Sequence, residues 1–353
     1  MKKVLFATTA LVMTAGVAAA EVAVSGDGRM GMIYDGNDAQ FSSRARVTFT
    51  LTGESDAGLS FGGAFRVDQE SDYTAGYAGS ERSAARGTAG AVWISGTYGK
   101  LSMGDVVGAA EAAIGDLPEV GYTDGEFGGD IEEINYLVGD GENEDQGPTI
   151  LYEYTVNNIS FFASATDGSN NSTYGVAGSD EGEDVPSDSV AYSLAVKYEG
   201  SNWWAALSYS EADVYDLDPT STSVTASASE LALAGGASFN NFSVMATYLK
   251  YDDRFVSGPV LGDDEFIVGG FAVDATLEET IGLGATYQMD AILVEGFYRK
   301  DKYDLIGGGS ESYDSFGIGA DYDLGGGAVL AGGIIDTDYL DDTVADIGVK
   351  FKF

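Results

Sequence analysis

The sequence predicts an all-β protein: a 16-stranded antiparallel transmembrane β-barrel with an infolded constriction loop. Apolar and polar residues alternate with a period of two along most of the chain, as in strands whose two faces meet different surroundings. About sixteen such segments follow one another, an even number, as bacterial outer-membrane barrels require. Tight turns alternate with long acidic loops, which is the asymmetry of a barrel that spans a membrane.

The first twenty residues have the pattern of a secretory signal peptide. Lys2 and Lys3 open it, an apolar run follows, and Ala18 to Ala20 supply a small-residue cleavage site. No later stretch reaches the roughly 18 uncharged apolar residues that a spanning helix needs, so a membrane location requires a barrel. We assign residues 1–20 to a cleaved signal peptide and residues 21–353 to one barrel domain.

Composition excludes several classes of function. The chain has 57 acidic and 17 basic residues, a formal charge of −40, which argues against nucleic acid as a partner. It contains no histidine and no cysteine, which removes Ser-His and Cys-His catalysis and ordinary zinc sites. We therefore predict that the protein is not an enzyme.

The first three strands show the alternation clearly. In FSSRARVTFTLTG (41–53), Val47 and Leu51 share one face, while Arg44 and Arg46 share the other. Strands also fall at about 22–34 and 59–68, with boundaries good to about 2–4 residues. The remaining strands are placed at about 88–97, 99–105, 149–156, 159–166, 189–199, 202–211, 228–239, 241–252, 278–289, 291–303, 311–323, 327–337 and 343–353.

The polar face of these strands is predicted to line a water-filled lumen. It carries Arg, Asp, Ser, Thr, Gly and Gln, which would leave charges unpaired in a dry interior. The apolar face is then expected to contact lipid, with tyrosines near the strand ends forming aromatic girdles. These tyrosines are Tyr34, Tyr98, Tyr152, Tyr154, Tyr192, Tyr198, Tyr248, Tyr287 and Tyr322.

Residues 105–148 form a long acidic segment that we expect to be neither strand nor helix and to fold into the barrel. Segments this long without regular structure are usually functional or disordered. This one also carries Leu117, Val120, Tyr122 and Ile134, and a disordered acidic tract is poor in such residues. The alternative is a solvated acidic surface loop. Its carboxylates include Glu111, Asp116, Glu119, Asp124, Glu126, Asp130, Glu132 and Glu133.

Arginines on the polar face of the first three strands are predicted to face this loop. Hairpin turns centred near residues 37 and 56 would set Arg29 opposite Arg46, and Arg46 opposite Arg66. Arg44 would lie opposite Asp68. A row of like charges destabilises the wall unless water or counter-charge faces it, and the acidic loop can supply that charge. The sequence thus predicts a charged eyelet; the alternative is a set of unrelated wall charges.

Such an eyelet selects by size and charge without tight binding. Two unit charges ~8 Å apart interact by about 0.5 kcal/mol in water and about 2 kcal/mol at an effective dielectric of 20. The excess of acid is expected to favour cations weakly. No cofactor is required. The dense carboxylates leave a Ca²⁺ ion at the acidic loop open, although the spacing of a calcium loop is absent.

Several runs resemble the bacterial general porins, most closely those of purple non-sulfur and related alphaproteobacteria. They are VSGDGRMGMIYDG (24–36), FSSRARVTFTLTG (41–53), GKLSMGD (99–105), GDLPEVGYTD (115–124), DYDLGGGAVLAGGI (321–334) and VADIGVKFKF (344–353). The resemblance implies a homotrimeric pore in the outer membrane for transport of ions and small hydrophilic solutes. It also implies that the terminal Phe353 is an assembly signal.

The resemblance also suggests which residues form the constriction. Its acidic positions match Glu111, Asp116, Asp124 and Asp130, to which the acid-rich run adds Glu132; its basic positions match Arg29, Arg44, Arg46 and Arg66. The later half of the loop, from residue 125 onward, follows a pattern of its own.

The main rival function is a substrate-specific channel on the same fold. An aromatic track along the lumen would favour it, and Trp93, Trp203 and Trp204 are the candidates, although adjacent residues cannot share a face. An outer-membrane barrel enzyme with esterase or phospholipase chemistry would require a positioned histidine, and the chain contains none. A secreted, soluble acidic β-protein is the third reading.

Overall fold

The computed structural model describes residues 21–70, 90–123, 131–138, 149–166, 191–215, 224–256, 267–268, 271–272, 275–305, 308–340 and 342–353. The predicted signal peptide lies outside these residues. So do parts of the long loops, including Asp124, Glu126 and Asp130.

The chain forms a closed barrel of sixteen antiparallel strands, which confirms the predicted fold. β1 pairs with β2 along the chain and with β18 to close the cylinder. Two further strands of two residues each, β12 and β13, pair with each other outside the barrel sheet and were not predicted. The strands are β1 (Glu21–Tyr34), β2 (Ala39–Glu54), β3 (Ser60–Glu70), β4 (Gly90–Gly96), β5 (Gly99–Gly104), β6 (Thr149–Val156), β7 (Ile159–Thr166), β8 (Ala191–Glu199), β9 (Trp203–Tyr215), β10 (Val224–Phe239), β11 (Phe242–Val256), β12 (Ile267–Val268), β13 (Phe271–Ala272), β14 (Ala275–Met289), β15 (Ile292–Leu305), β16 (Ser310–Gly325), β17 (Ala328–Thr337) and β18 (Val344–Lys352).

Tight turns join the strands at one rim, as predicted. Asn157, Asn240 and Asp290 each adopt a positive φ, of 54°, 53° and 48°. Two-residue hairpins favour Asn and Asp there, because these side chains tolerate the left-handed conformation that a primed turn requires. The long acidic connections leave from the opposite rim.

The apolar side chains face outward. Val47, Leu51 and Phe65 are exposed, and the rings of Phe49 and Phe65 stack on the outer surface at 5.1 Å between centroids. All nine tyrosines assigned to the outer face are exposed by at least 36%. The inward positions carry polar residues such as Ser193 and Thr280. Among the described residues, no helix is both long and apolar enough to cross a membrane.

A short helix, α1 (Ala109–Ile114), interrupts the segment that was predicted to contain no helix, and that prediction is wrong. Its sequence, AAEAAI, has high intrinsic helix propensity. Gly108 and Gly115 flank it, and the Gly115 N–H donates to the carbonyl of Glu111 at 2.7 Å. The helix is a single turn and a half, too short to show a helical period in the sequence.

The described strands differ in length around the barrel. β4 to β7 have six to eight residues each, whereas β10 and β16 have sixteen. The main cluster of buried apolar residues lies between the infolded segment and the inner wall, not between two sheets.

Candidate functional site

The infolded segment, which we call the constriction loop (105–148), starts where β5 ends, and its described residues, 105–123 and 131–138, lie along the inner wall. α1 packs inside β7 to β10, and the Ala109 N–H donates to the Ser164 hydroxyl at 2.9 Å. The alanines of α1 share a buried cluster with wall alanines Ala195, Ala206 and Ala232. Small residues on both surfaces allow the helix to approach closely. The described part of the loop therefore folds inward, as predicted.

Beyond the helix, the loop crosses β14 to β18 over a shallow trough. Inward-facing glycines lie beneath it: Gly282, Gly284, Gly319, Gly333 and Gly348. A Cβ at Gly348 would lie 2.4 Å from the Tyr122 ring, and one at Gly333 would lie 2.6 Å from the Val120 side chain. Tyr122 is fully buried as a result. These glycines were not singled out from the sequence, although they lie on the lumen-facing parity.

The last described residues before position 124, Tyr122 and Thr123, contact the first two strands. The Arg29 guanidinium donates to the Thr123 carbonyl at 3.1 Å, and the Tyr122 hydroxyl donates to the Ser42 carbonyl at 2.9 Å. Arg29 is 6% exposed, so it anchors the loop instead of presenting its charge to the lumen. Burial raises the pKa of the Tyr122 phenol, which keeps its proton for this hydrogen bond.

The returning arm, residues 131–138, is held mostly through its backbone. Arg299 donates to the carbonyls of Ile131 and Glu133 at 3.1 and 2.6 Å. The Tyr251 hydroxyl donates to the Asn135 carbonyl at 2.8 Å.

Buried acids complete this attachment. Arg299 is paired with Asp301 at 2.7 Å, and both side chains are buried. The Leu137 N–H donates to the Glu230 carboxylate at 2.6 Å, and Glu230 is fully buried. Sequence reasoning missed these anchors. Charged residues on the inward parity of long strands were the available signal.

The two arms also contact each other. The Ile134 N–H donates to the Asp116 carboxylate at 2.8 Å, and the Tyr136 hydroxyl donates to the Gly115 carbonyl at 2.7 Å. Burial raises the pKa of Tyr136 well above its usual value, with Asp116, Glu230 and Glu111 nearby adding to the effect. The phenol thus remains a donor, and the loop is a folded unit with internal contacts.

The predicted acidic residues have different environments. Glu111 on α1 and Asp116 are half-buried. Glu132 departs from the expectation, because it is 2% exposed and lies within the packed loop. Asp124 and Asp130 fall outside the described residues and stay predictions. Two other loop carboxylates, Glu119 and Glu133, are exposed.

The arginine wall, which we define as Arg44 and Arg46 on β2 and Arg66 on β3, has a register two residues from the predicted one. Arg29 lies opposite Arg44, Arg46 lies opposite Asp27 and Asp68, and Arg66 lies opposite Thr48. The predicted row Arg29–Arg46–Arg66, and the pairing of Arg44 with Asp68, are therefore wrong.

The turns explain the shift. The Asp35 carboxylate accepts from the N–H groups of Asn37 and Asp38 at 2.8 and 2.7 Å, which moves the first turn toward the N-terminus. The second turn closes between Ser55 and Gly58, one residue later than assumed. A shift of two residues preserves the face, so all three arginines still point inward and are half-buried.

The tryptophans form no track along the lumen. Trp203 is 48% exposed on the outer face, whereas Trp204 beside it turns inward, with the Lys197 ammonium 4.8 Å from its ring centroid. Trp93 lies on β4, five strands away from Trp204 on β9. The observation that would have favoured a substrate-specific channel is absent from the described residues.

A closed antiparallel barrel with an apolar outer face, a polar inner face and a loop anchored inside defines a class, the transmembrane β-barrel channels. Comparison with known sequences makes the assignment specific. The profile of the Gram-negative porin family matches residues 7–342. The chain is 37% identical over 337 residues to a porin of Rhodobacter capsulatus, covering 94% of this chain and 100% of that one. This chain belongs to the Gram-negative porin family.

Solved structures agree with this assignment. A porin structure refined at 1.8 Å matches with a TM-score of 0.72 and 36% identity, over 94% of this chain and 100% of that one. A mutant of the Rhodopseudomonas blastica porin matches with a TM-score of 0.59 and 21% identity, with the same coverage. An outer-membrane protein of Vibrio cholerae matches with a TM-score of 0.60 and 13% identity, over 95% and 99%. The last two likenesses concern the fold alone.

Proposed function

We propose that this porin is a general diffusion channel that passes ions and small hydrophilic solutes passively, with no catalytic step. The observation that carries the proposal is the contrast inside the barrel. One stretch of wall, β14 to β18, is covered by a firmly anchored loop, while the neighbouring stretch on β2 and β3 carries half-buried arginines. A lumen narrowed by a fixed loop and lined by charge admits solutes by size and charge. The described residues contain no aromatic track along the lumen that would favour one substrate.

The charged eyelet is proposed between the arginine wall and the loop carboxylates. Among the described loop residues, Glu119 and Glu133 are exposed and Glu111 and Asp116 are half-buried. Opposed charges across a pore are screened over about 8 Å at physiological ionic strength, so they bias passage without trapping a solute. The large excess of acid over base favours a weak preference for cations.

A homotrimer is proposed as the working assembly, as the resemblance to the bacterial general porins implies. The outer face of β2 to β5 offers exposed apolar side chains, among them Phe41, Phe61 and Met103. A second copy of the chain would cover part of this face, and repeated contacts of this kind form a ring when the rotation between copies closes.

The outer membrane is proposed as the location, reached through the cleaved signal of residues 1–20. The apolar outer face and its exposed tyrosines suit a lipid environment. Phe353 is proposed as the assembly signal. Its side chain is 82% exposed, and its backbone pairs with Gly26, so the chain ends in register at the rim.

The pore is proposed to work without a cofactor. Calcium at the acidic loop stays a prediction from the sequence, because no three metal-ligating side chains cluster among the residues that the structure describes. Single-channel conductance measured in excess Ca²⁺ and then in excess EGTA tests it: an unchanged conductance removes any role for the ion in setting the pore.

Reconstitution in planar bilayers tests the main proposal. We expect single-channel steps with ohmic conductance, and a reversal potential in a salt gradient that indicates weak cation preference. In proteoliposomes, swelling rates should fall smoothly as neutral sugars grow in size. Saturation of the current by one particular solute would show a binding channel instead.

A further inference from the structure

Residues 121–123, the last described residues before position 124, which we call the loop tip, are held by one carboxylate of the last strand, Asp346. Its Oδ1 accepts from the Tyr122 N–H at 2.9 Å and from the Gly333 N–H at 3.1 Å. Its Oδ2 accepts from the Thr123 N–H at 2.7 Å and from the Thr123 hydroxyl. Two successive backbone N–H groups that converge on one anion form a nest, which suits a carboxylate.

Gly121 makes this arrangement possible. Its φ of +98° turns the chain so that the next two N–H groups reach Asp346. A Cβ at this position would lie 2.4 Å from the Asp346 Oδ1, so a larger residue would exclude the carboxylate as well as strain the backbone. The tip is thus shaped around this side chain.

Cations hold the carbonyls of two of these three residues. Arg29 donates to the Thr123 carbonyl at 3.1 Å, and Lys350 donates to the Gly121 carbonyl at 3.3 Å. The strand register sets Lys350 opposite Arg29, and Arg29 opposite Arg44. Neighbouring strands lie about 4.8 Å apart, so three cationic side chains cross the wall beside the loop tip. Asp346 and Asp321, which pairs with Lys350 at 3.3 Å, supply negative charge there.

We propose that Asp346 is a positioning residue of the pore. It fixes the loop tip through the two backbone amides, and it offsets part of the positive charge of the row formed by Lys350, Arg29 and Arg44. Both the width of the constriction and its ion preference depend on it. The proposal rests on the proposed function as a diffusion channel, and it assigns the position of the constriction loop to a residue of the barrel wall.

Asp346→Asn tests both effects at once. The amide keeps the shape, loses the charge and cannot accept all four hydrogen bonds. Leaving buried amides without an acceptor should lower the ratio of docked to undocked loop tip by about tenfold. We expect higher open-channel current noise, an altered mean conductance and a shift of the reversal potential away from cation preference.

Asp336→Asn is the matched control. Asp336 lies on the outer face of β17, opposite the exposed Phe316, and accepts from the Thr343 hydroxyl at 2.6 Å. It removes the same charge from a neighbouring strand without touching the loop. Its noise and reversal potential should match those of the unmodified channel.

Gly333→Ala separates position from charge. The added Cβ would lie 2.6 Å from Val120 and 2.9 Å from the backbone of Gly121, so the tip must shift while every charge remains. Noise and conductance should change, and the reversal potential should not.

The proposal is overturned if assembled Asp346→Asn channels match the control in both noise and reversal potential. If Asp346→Asn does not assemble, unchanged noise and conductance in Gly333→Ala overturn it instead. Absence of any channel from the unmodified protein would contradict the proposed function, so the two failures are distinguishable.

Discussion

Two stretches of the inner wall face the same lumen but differ in what surrounds their charged residues. The stretch from β14 to β18 is covered by the constriction loop and offers glycines with a few charged anchors such as Arg299 and Asp346. The arginine wall on β2 and β3 stays half-exposed and carries its charges side by side. Both belong to the polar parity of the strands. What differs is how deeply the charged side chains are buried.

The role of each charged side chain depends on what surrounds it. Arg299 is buried, and it has a carboxylate partner and two backbone carbonyls within hydrogen-bonding distance. A buried charge without such partners costs several kcal/mol. The arginines of the wall remain in contact with the lumen, where water and mobile ions moderate their repulsion. Fully buried charges therefore act as anchors, and we expect the half-buried charges to act on passing solutes.

The largest effect is expected from removing a covered charge. Arg299→Met leaves the buried Asp301 without its cationic partner and takes the donor from two loop carbonyls, so we expect a loss of about 3–5 kcal/mol in the free energy of unfolding. Urea titration of the detergent-solubilised protein measures it. Lys302→Met is the matched control, because the Lys302–Glu278 pair is outward and partly exposed. It should cost less than about 1 kcal/mol. Equal losses in the two variants would refute the contrast between the walls.

A medium effect is expected from filling the trough. Gly348→Ala places a Cβ 2.4 Å from the Tyr122 ring and should destabilise the protein by about 1–3 kcal/mol through overpacking. Conductance should change as well, because the loop must move. Gly63→Ala on β3 meets only ordinary contacts at 3.4 Å and serves as the control. A neutral Gly348→Ala variant would mean that the loop does not rest in the trough.

A smaller effect, on selectivity without stability, is expected at the arginine wall. Arg46→Glu combined with Arg66→Glu should raise cation preference, because each charge acts on a passing ion by about 0.5–2 kcal/mol at ~8 Å. The reversal potential in a salt gradient reports it. Lys300→Glu changes an outward charge and should leave that potential unaltered. No difference between the double variant and this control would remove the arginines from the conduction path.

The smallest effect is expected from single loop carboxylates. Glu133 is exposed, so Glu133→Gln should reduce cation preference slightly, and more at 0.1 M salt than at 1 M, where the Debye length is only about 3 Å. Glu132→Gln, next to it but buried, should change stability more than selectivity. The opposite order of effects would show that the loop presents its other face to the lumen.

The sequence predicted features that depend on neighbouring residues, and it missed features that depend on turn geometry or on distant residues. Alternation identified the strands and their faces, because it is a property of neighbouring residues. Register was missed by two residues at both hairpins, since it depends on turn geometry that Asp35 and Ser55 fix through local hydrogen bonds. The face of Arg46 was still correct, because a shift of two restores the parity. Lys350 was visible on the inward face of the last strand, but its role required knowing that β18 closes against β1.

The sequence by itself determined the strand order, the inward and outward faces and the inward fold of an acidic loop that carries too much apolar surface to stay in solvent. Only the tertiary structure decided which carboxylates are buried, which arginines serve as anchors and where the loop tip rests. These depend on contacts between residues more than two hundred positions apart, such as Tyr122 and Asp346. The closing of a barrel brings such residues together, and no local pattern of residues records which side chains will then be covered.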